Sequence, residues 1–189
     1  MVKEYSKISP TAIFCARMRA KQNVPFAKEI ISLVDSKYLK WVDDLPDYGS
    51  ALNSNQKFIP FIEGRYYSLN RVLSQMKNIF IVEIAAGLSP RSLEFLNKEN
   101  TLYLETELNG LIKLKENILN DIIIKNNLSN KNLSFLSVNP LKKEDVDKIG
   151  KFYEKKSQNK RLIIIHEGLL MYFDKKEKTI FRDNIKYLK

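Results

Sequence analysis

With 189 residues, 44% of them hydrophobic, the chain is long enough for one globular unit with a real core. Its net charge of +10 raises nucleic acid or an anionic surface as a partner, yet only seven of the 32 basic residues are arginine. The lysines scatter among Asn and Ile without forming a stripe, which describes a solvated face, so nucleic acid is not the expected partner.

The first part of the chain, residues 1–77, reads as a helical segment capping the remainder. Ser9, Pro10 and Thr11 open a helix through Ala20. It carries Cys15, whose apolar neighbours Ile13, Phe14 and Ala16 predict a small buried hydrophobe. One cysteine and one histidine exclude a disulfide framework, and no metal site is expected. Helical patterns continue from Phe26 to Val34 and from Tyr38 to Leu45, the second holding the sole tryptophan, Trp41. Asp47 to Ser50 and Asn53 to Asn55 read as an exposed loop. Phe58 to Met76 is helical again, with Ile59, Ile62, Tyr66, Leu69, Val72 and Leu73 on its apolar side, leaving Arg65 and Arg71 toward solvent. No leader pattern opens the chain and no apolar run reaches the length of a membrane span, so the expectation is a soluble, cytoplasmic protein without a membrane partner.

From Ile79 onward strands and helices alternate. Ile79 to Ile84 precedes a helix from Pro90, with Ser89 suited to the N-cap. Thr101 to Glu105 precedes a helix over Leu111 to Lys125. Leu133 to Val138 precedes one over Lys142 to Lys156, and Arg161 to His166 precedes one over Asp174 to Leu188. Four such units predict an α/β, Rossmann-like parallel sheet over residues 78–189, with helices on both faces. Ligands of such sheets sit beyond the carboxyl ends of the strands, here Ala85 to Ser89, Glu105 to Leu108, Val138 to Leu141 and His166 to Leu169. The chain ends after the fourth helix, leaving the fourth strand as an open edge through which a homodimer could form.

Chemistry concentrates at those strand ends. Ala85, Ala86 and Gly87 let a ligand approach the backbone closely at the start of a helix. Glu105 or Glu107, about 20 residues further on, has the paired oxygens that match a ribose diol. His166, the only histidine, is a candidate general base, and Glu167 beside it could hold an amino group. The dinucleotide fingerprint Gly-x-Gly-x-x-Gly is absent, which disfavours a nicotinamide dehydrogenase.

Three stretches carry a family resemblance: Val82 to Arg91, Tyr103 to Leu108, and His166 to Phe173. They resemble the leucine carboxyl methyltransferase family, class I S-adenosylmethionine-dependent O-methyltransferases, most of all its bacterial members of unassigned substrate. Thr11, Ala12, Arg17, Arg19 and Ala20 are similar to the family's N-terminal helix, and Arg65 to its arginine ahead of the first strand.

The resemblance implies S-adenosylmethionine as cofactor. Ala85, Ala86 and Gly87 would line its methionine side, Glu107 or Glu105 would meet its ribose, Asn139 would lie near its adenine, Glu167 would contact the cofactor, and Arg65 would pair with its carboxylate. Four positions depart from the family's pattern: Ala85 stands for a glycine, Ser89 and Pro90 for Asp-Thr, and Asn139 for an aspartate. The C-terminal strands of the usual methyltransferase sheet are expected to be missing. The leading expectation is methyl transfer to an oxygen of a small molecule or carboxylate. The alternatives are a tRNA-directed methyltransferase and a truncated, non-catalytic Rossmann-like binding module.

Overall fold

A computed structural model describes residues 10–22, 24–45, 59–157 and 159–188. The expected loop over Asp47 to Asn55, and Ser9 ahead of the first helix, lie outside these residues. Helices α1 (Pro10–Lys21), α2 (Ala27–Leu33), α3 (Ser36–Asp43) and α4 (Ile59–Gln75) precede β1 (Ile79–Ile84). Then come α5 (Arg91–Phe95), β2 (Thr101–Glu107), α6 (Asn109–Lys125), β3 (Leu133–Ser137), α7 (Lys143–Lys156), β4 (Arg161–His166) and α8 (Lys175–Lys186). The four strands form one all-parallel sheet in the order β3-β2-β1-β4, flanked by helices, and β4 is an edge strand as expected.

Every residue of β1 is buried, because it lies between two neighbours and beneath helices on both faces. Period-two alternation divides it. Phe80, Val82 and Ile84 pack with Val146 and Ile149 of α7 and Phe181 of α8, while Ile79 and Ile81 pack with Leu73 of α4, Phe95 of α5 and Ile165 of β4. A third cluster joins Ile13 and Met18 of α1, Ile30 of α2 and Val42 of α3 to Ile118 and Ile122 of α6. The N-terminal helices therefore share a core with the α/β segment.

Several local expectations are corrected. The helix after β1 is only five residues long; Pro90 is its N-cap, and the Ser89 hydroxyl accepts from the Arg91 amide at 3.3 Å. Strand β2 continues to Glu107, since Glu105 and Thr106 still pair with Phe135 and Leu136 of β3. Val72 is half-exposed, whereas Ile62, Tyr66 and Leu73 form the buried side of α4. Arg65, expected in solvent, is drawn inward by Glu167 at 3.3 Å. Cys15, expected as a buried hydrophobe, is only partly buried, and what burial it has pushes its thiol above the usual range. Among the described residues no helix is long and apolar enough to cross a membrane.

Candidate functional site

A cavity of about 790 Å³ opens where the strands end. Ala85 to Gly87 after β1, Glu107 at the tip of β2, Asn139 after β3 and Glu167 after β4 all line it, and α1 and α4 close it with Arg19 and Arg65. The turn after β1 is built for close approach. Gly87 has φ +53° and stands 3.5 Å, measured from the place of a Cβ, from the Ala12 methyl. Ala85 also has φ +53°, a left-handed conformation that costs an L-residue about 1 kcal/mol and suits glycine better.

Glu107 is buried and held by backbone alone. Gly87 N donates to Oε2 at 3.0 Å and Leu108 N to Oε1 at 2.8 Å, so each oxygen keeps an acceptor site. Burial pushes its carboxyl above the usual carboxylate range, the two amides only partly offsetting it.

Glu167 is held differently. Arg19 Nη2 (2.8 Å) and Arg65 Nη2 (3.3 Å) both donate to Oε1, and Arg91 Nη2 donates to Oε2 at 2.7 Å. Burial alone would raise its carboxyl, but Arg19, Arg91 and Arg65 outweigh burial and hold it below the usual range. Arg91 is fully buried and spreads the rest of its fork to Glu83 and, through Nε at 2.7 Å, to Asn70. Tyr103 completes the Glu83 site with a 2.6 Å bond from its hydroxyl. The Tyr66 ring stacks under Arg91 (4.8 Å) and Arg19 (5.5 Å), and its hydroxyl donates to Glu94.

Two sequence-expected residues are not brought to the cavity. Glu105 shares the sheet face of Glu83 but is fully buried in an ion pair with Lys115 of α6, so the acid at the cavity is Glu107. His166 points away, because successive strand residues alternate: Ile165 packs with Ile79 and Ile81, Glu167 lines the cavity, and the histidine between them turns to the other face. Its ring meets Phe181 edge-on at 5.6 Å and borders a separate groove between β4 and α8. Desolvation there lowers its pKa. Asn139 lines the cavity while its Oδ1 accepts from Leu141 N at 3.0 Å, closing its own turn.

Sequence reasoning gave no role to Arg19, Arg91 or Glu83. The available signal was Glu83 itself, a carboxylate inside an otherwise apolar buried strand, which demands a cationic partner. No protein-family model matches the chain, and no curated protein matches it.

Proposed function

We propose that the protein is an S-adenosylmethionine-dependent O-methyltransferase. The observation that carries this reading is the meeting, on one cavity, of the Ala85–Gly87 turn, a diol-competent carboxylate at Glu107, and arginine donors around Glu167. The donor set suits the cofactor. Glu107 keeps an acceptor site on each oxygen for two vicinal hydroxyls. Nε of Arg19 and of Arg65 are buried without a partner, which leaves donors for a carboxylate. The volume falls within the range of about 300–1,000 Å³ common for small-ligand pockets.

The cofactor, when bound, supplies a methyl group already activated by a sulfonium. The chain's residues position and desolvate. Glu107 would accept from the ribose hydroxyls, Arg65 and Arg19 would hold the amino-acid carboxylate, and Glu167, whose Oε2 already accepts from Arg91, would hold the amino group. Ala85 and Ala86 keep side chains out of the way, and the apolar walls, Phe14, Leu111 and Phe173 among them, exclude water. His166 is turned from the cavity and plays no part as a base. Catalysis then rests on in-line placement.

Calorimetric titration with S-adenosylmethionine tests the reading. Saturable one-site binding, weakened roughly tenfold in Glu107→Gln by loss of one acceptor, is expected. No heat and no saturation with the wild-type chain overturns it.

A further inference from the structure

We propose that the open edge of β4, with the groove between it and α8, docks an extended segment of a partner protein that is apolar at its centre and acidic at both ends, added to the sheet as a fifth strand. The site is separate from the strand-end cavity and independent of what that cavity binds. The first observation is the contrast between the two edges of the sheet. At one edge, β3 carries Ser134 and Ser137 among its five residues, polar side chains that suit a strand beside water. At the other, β4 runs Leu162-Ile163-Ile164-Ile165 in unbroken register with β1, with no charge or proline inside it. That is the composition of a parallel strand with neighbours on both sides. Its pairing groups are in place. Arg161 N donates to Asn78 O on the β1 side, and pairing alternates along a parallel strand, so the N–H and C=O groups of Leu162, Ile164 and His166 face the open side.

The second observation is the lining of the groove, which encloses about 820 Å³. Leu162 and Ile164 of β4 face Phe181, Ile185 and Leu188 across an apolar floor. On its exposed side stand Lys178, Arg182 and Lys186, four residues apart on α8 and therefore on one face of the helix. The lysines that look scattered along the sequence thus contribute to a row of cations here. Among the described residues no acid lines the groove; Arg182 pairs with Asp183 at 2.8 Å, and neither Lys178 nor Lys186 has an ion pair. Eight positions of helix rise about 12 Å, roughly the length of four residues of extended strand. A four-residue apolar centre therefore fits between acids that reach the two lysines.

Charge chooses the occupant. A second copy paired antiparallel along β4 would set α8 beside its own copy and bring two rows of cations together, like against like. An acidic segment meets the same row with opposite charge, covers the apolar floor with its centre, and satisfies the free strand edge with its backbone.

The test is fluorescence anisotropy with a labelled octapeptide, Val-Ile-Val-Ile flanked by two Glu at each end. Saturable binding to the full chain is expected. It should weaken roughly tenfold or more when Gln replaces every Glu of the peptide, and equally when Lys178→Glu and Lys186→Glu are combined, two exposed positions outside the core. A strand added to an edge pairs through every second residue, so N-methylation of one alternate set of peptide amides is expected to abolish binding and of the other set to leave it within about twofold. No saturable change in anisotropy overturns the docking site. Equal affinity for the Glu and Gln peptides overturns the acidic partner, and equal loss from both N-methylated sets overturns strand addition. A dimer in light scattering that excludes the peptide gives the edge to a second copy and overturns the proposal as well.

Discussion

The tips of β2 and β4 each bring a carboxylate to the same cavity, and the fold treats the two in opposite ways. Glu167 is wrapped by Arg19, Arg65 and Arg91, and most of its lone pairs are spent on protein donors. Glu107 has two backbone N–H groups and spare acceptor capacity on both oxygens. Their acidities diverge accordingly, below the usual range for Glu167 and above it for Glu107. An acid tied down by arginines chiefly fixes architecture, here the position of α1 and α4 against the sheet. An acid buried with dipoles alone is left costly in the free protein, and a ligand that donates to it recovers part of that cost.

The severest way to break the β4 side is to remove its hub. Arg91→Met leaves Glu83 and Glu167 buried with their shared cation gone, and urea denaturation is expected to show a loss of about 3–5 kcal/mol. Arg91→Lys recovers only part of this, since a single ammonium cannot reach Asn70, Glu83 and Glu167 together. A loss under about 1 kcal/mol for Arg91→Met would show that the network does not hold the helices in place.

Glu167→Gln is the next largest, at about 2 kcal/mol, because the amide keeps one acceptor for the arginines but neutralises none of them. Its pH dependence has a definite sign. The folded pKa of Glu167 is depressed, so its contribution is fully present above the unfolded value near 4.5 and is lost as pH falls through the folded value. The stability deficit of Glu167→Gln is therefore expected to be greatest at neutral pH and to shrink in acid, as read from denaturation midpoints between about pH 3 and pH 7.

Glu107→Gln sharpens the contrast by reversing both measures. It should lose about 1 kcal/mol of stability, one backbone N–H losing its acceptor, yet weaken S-adenosylmethionine binding roughly tenfold, a larger effect on affinity than on the fold. Its folded pKa is raised, so protonation favours the folded state, and ionisation above pH 4.5 erodes wild-type stability up to the folded value. The deficit of Glu107→Gln is accordingly expected to be largest below about pH 4.5 and to narrow as pH rises toward the folded value, the opposite slope. Parallel slopes for the two variants would erase the distinction between the strand tips.

How much of this is legible in the sequence depends on distance along the chain. The alternation from Ile79 to Lys186 betrays a parallel sheet because each strand-helix unit is local, and the sheet rule then names the turns that line the cavity. Ala85 to Gly87 and Glu107 come from that rule and a spacing of 20 residues. The ion-pair network does not. Arg91 reaches Glu83 across 8 positions but Glu167 across 76, and Arg19 reaches Glu167 across 148, separations that no periodicity encodes. Glu105 and Glu107 were indistinguishable by spacing; Lys115, one turn and a half into α6, decides between them by claiming Glu105 for the core.

His166 supplies the smallest expected effect and the cleanest control. Strand parity places Glu167 on the cavity face and its neighbour on the other, where the ring packs on Phe181 and its Nδ1 is buried without a partner. Burial disfavours the imidazolium, so the ring's folded pKa is lowered and the histidine resists protonation as pH falls through the usual range near 6.5. A general base would impose its titration on the transfer rate; a ring on the far face cannot. His166→Gln is thus expected to leave the S-adenosylmethionine affinity within twofold of wild type between about pH 5.5 and pH 8. An affinity that falls at the low-pH end in the wild-type chain, and no longer does in His166→Gln, would bring the histidine back into the site.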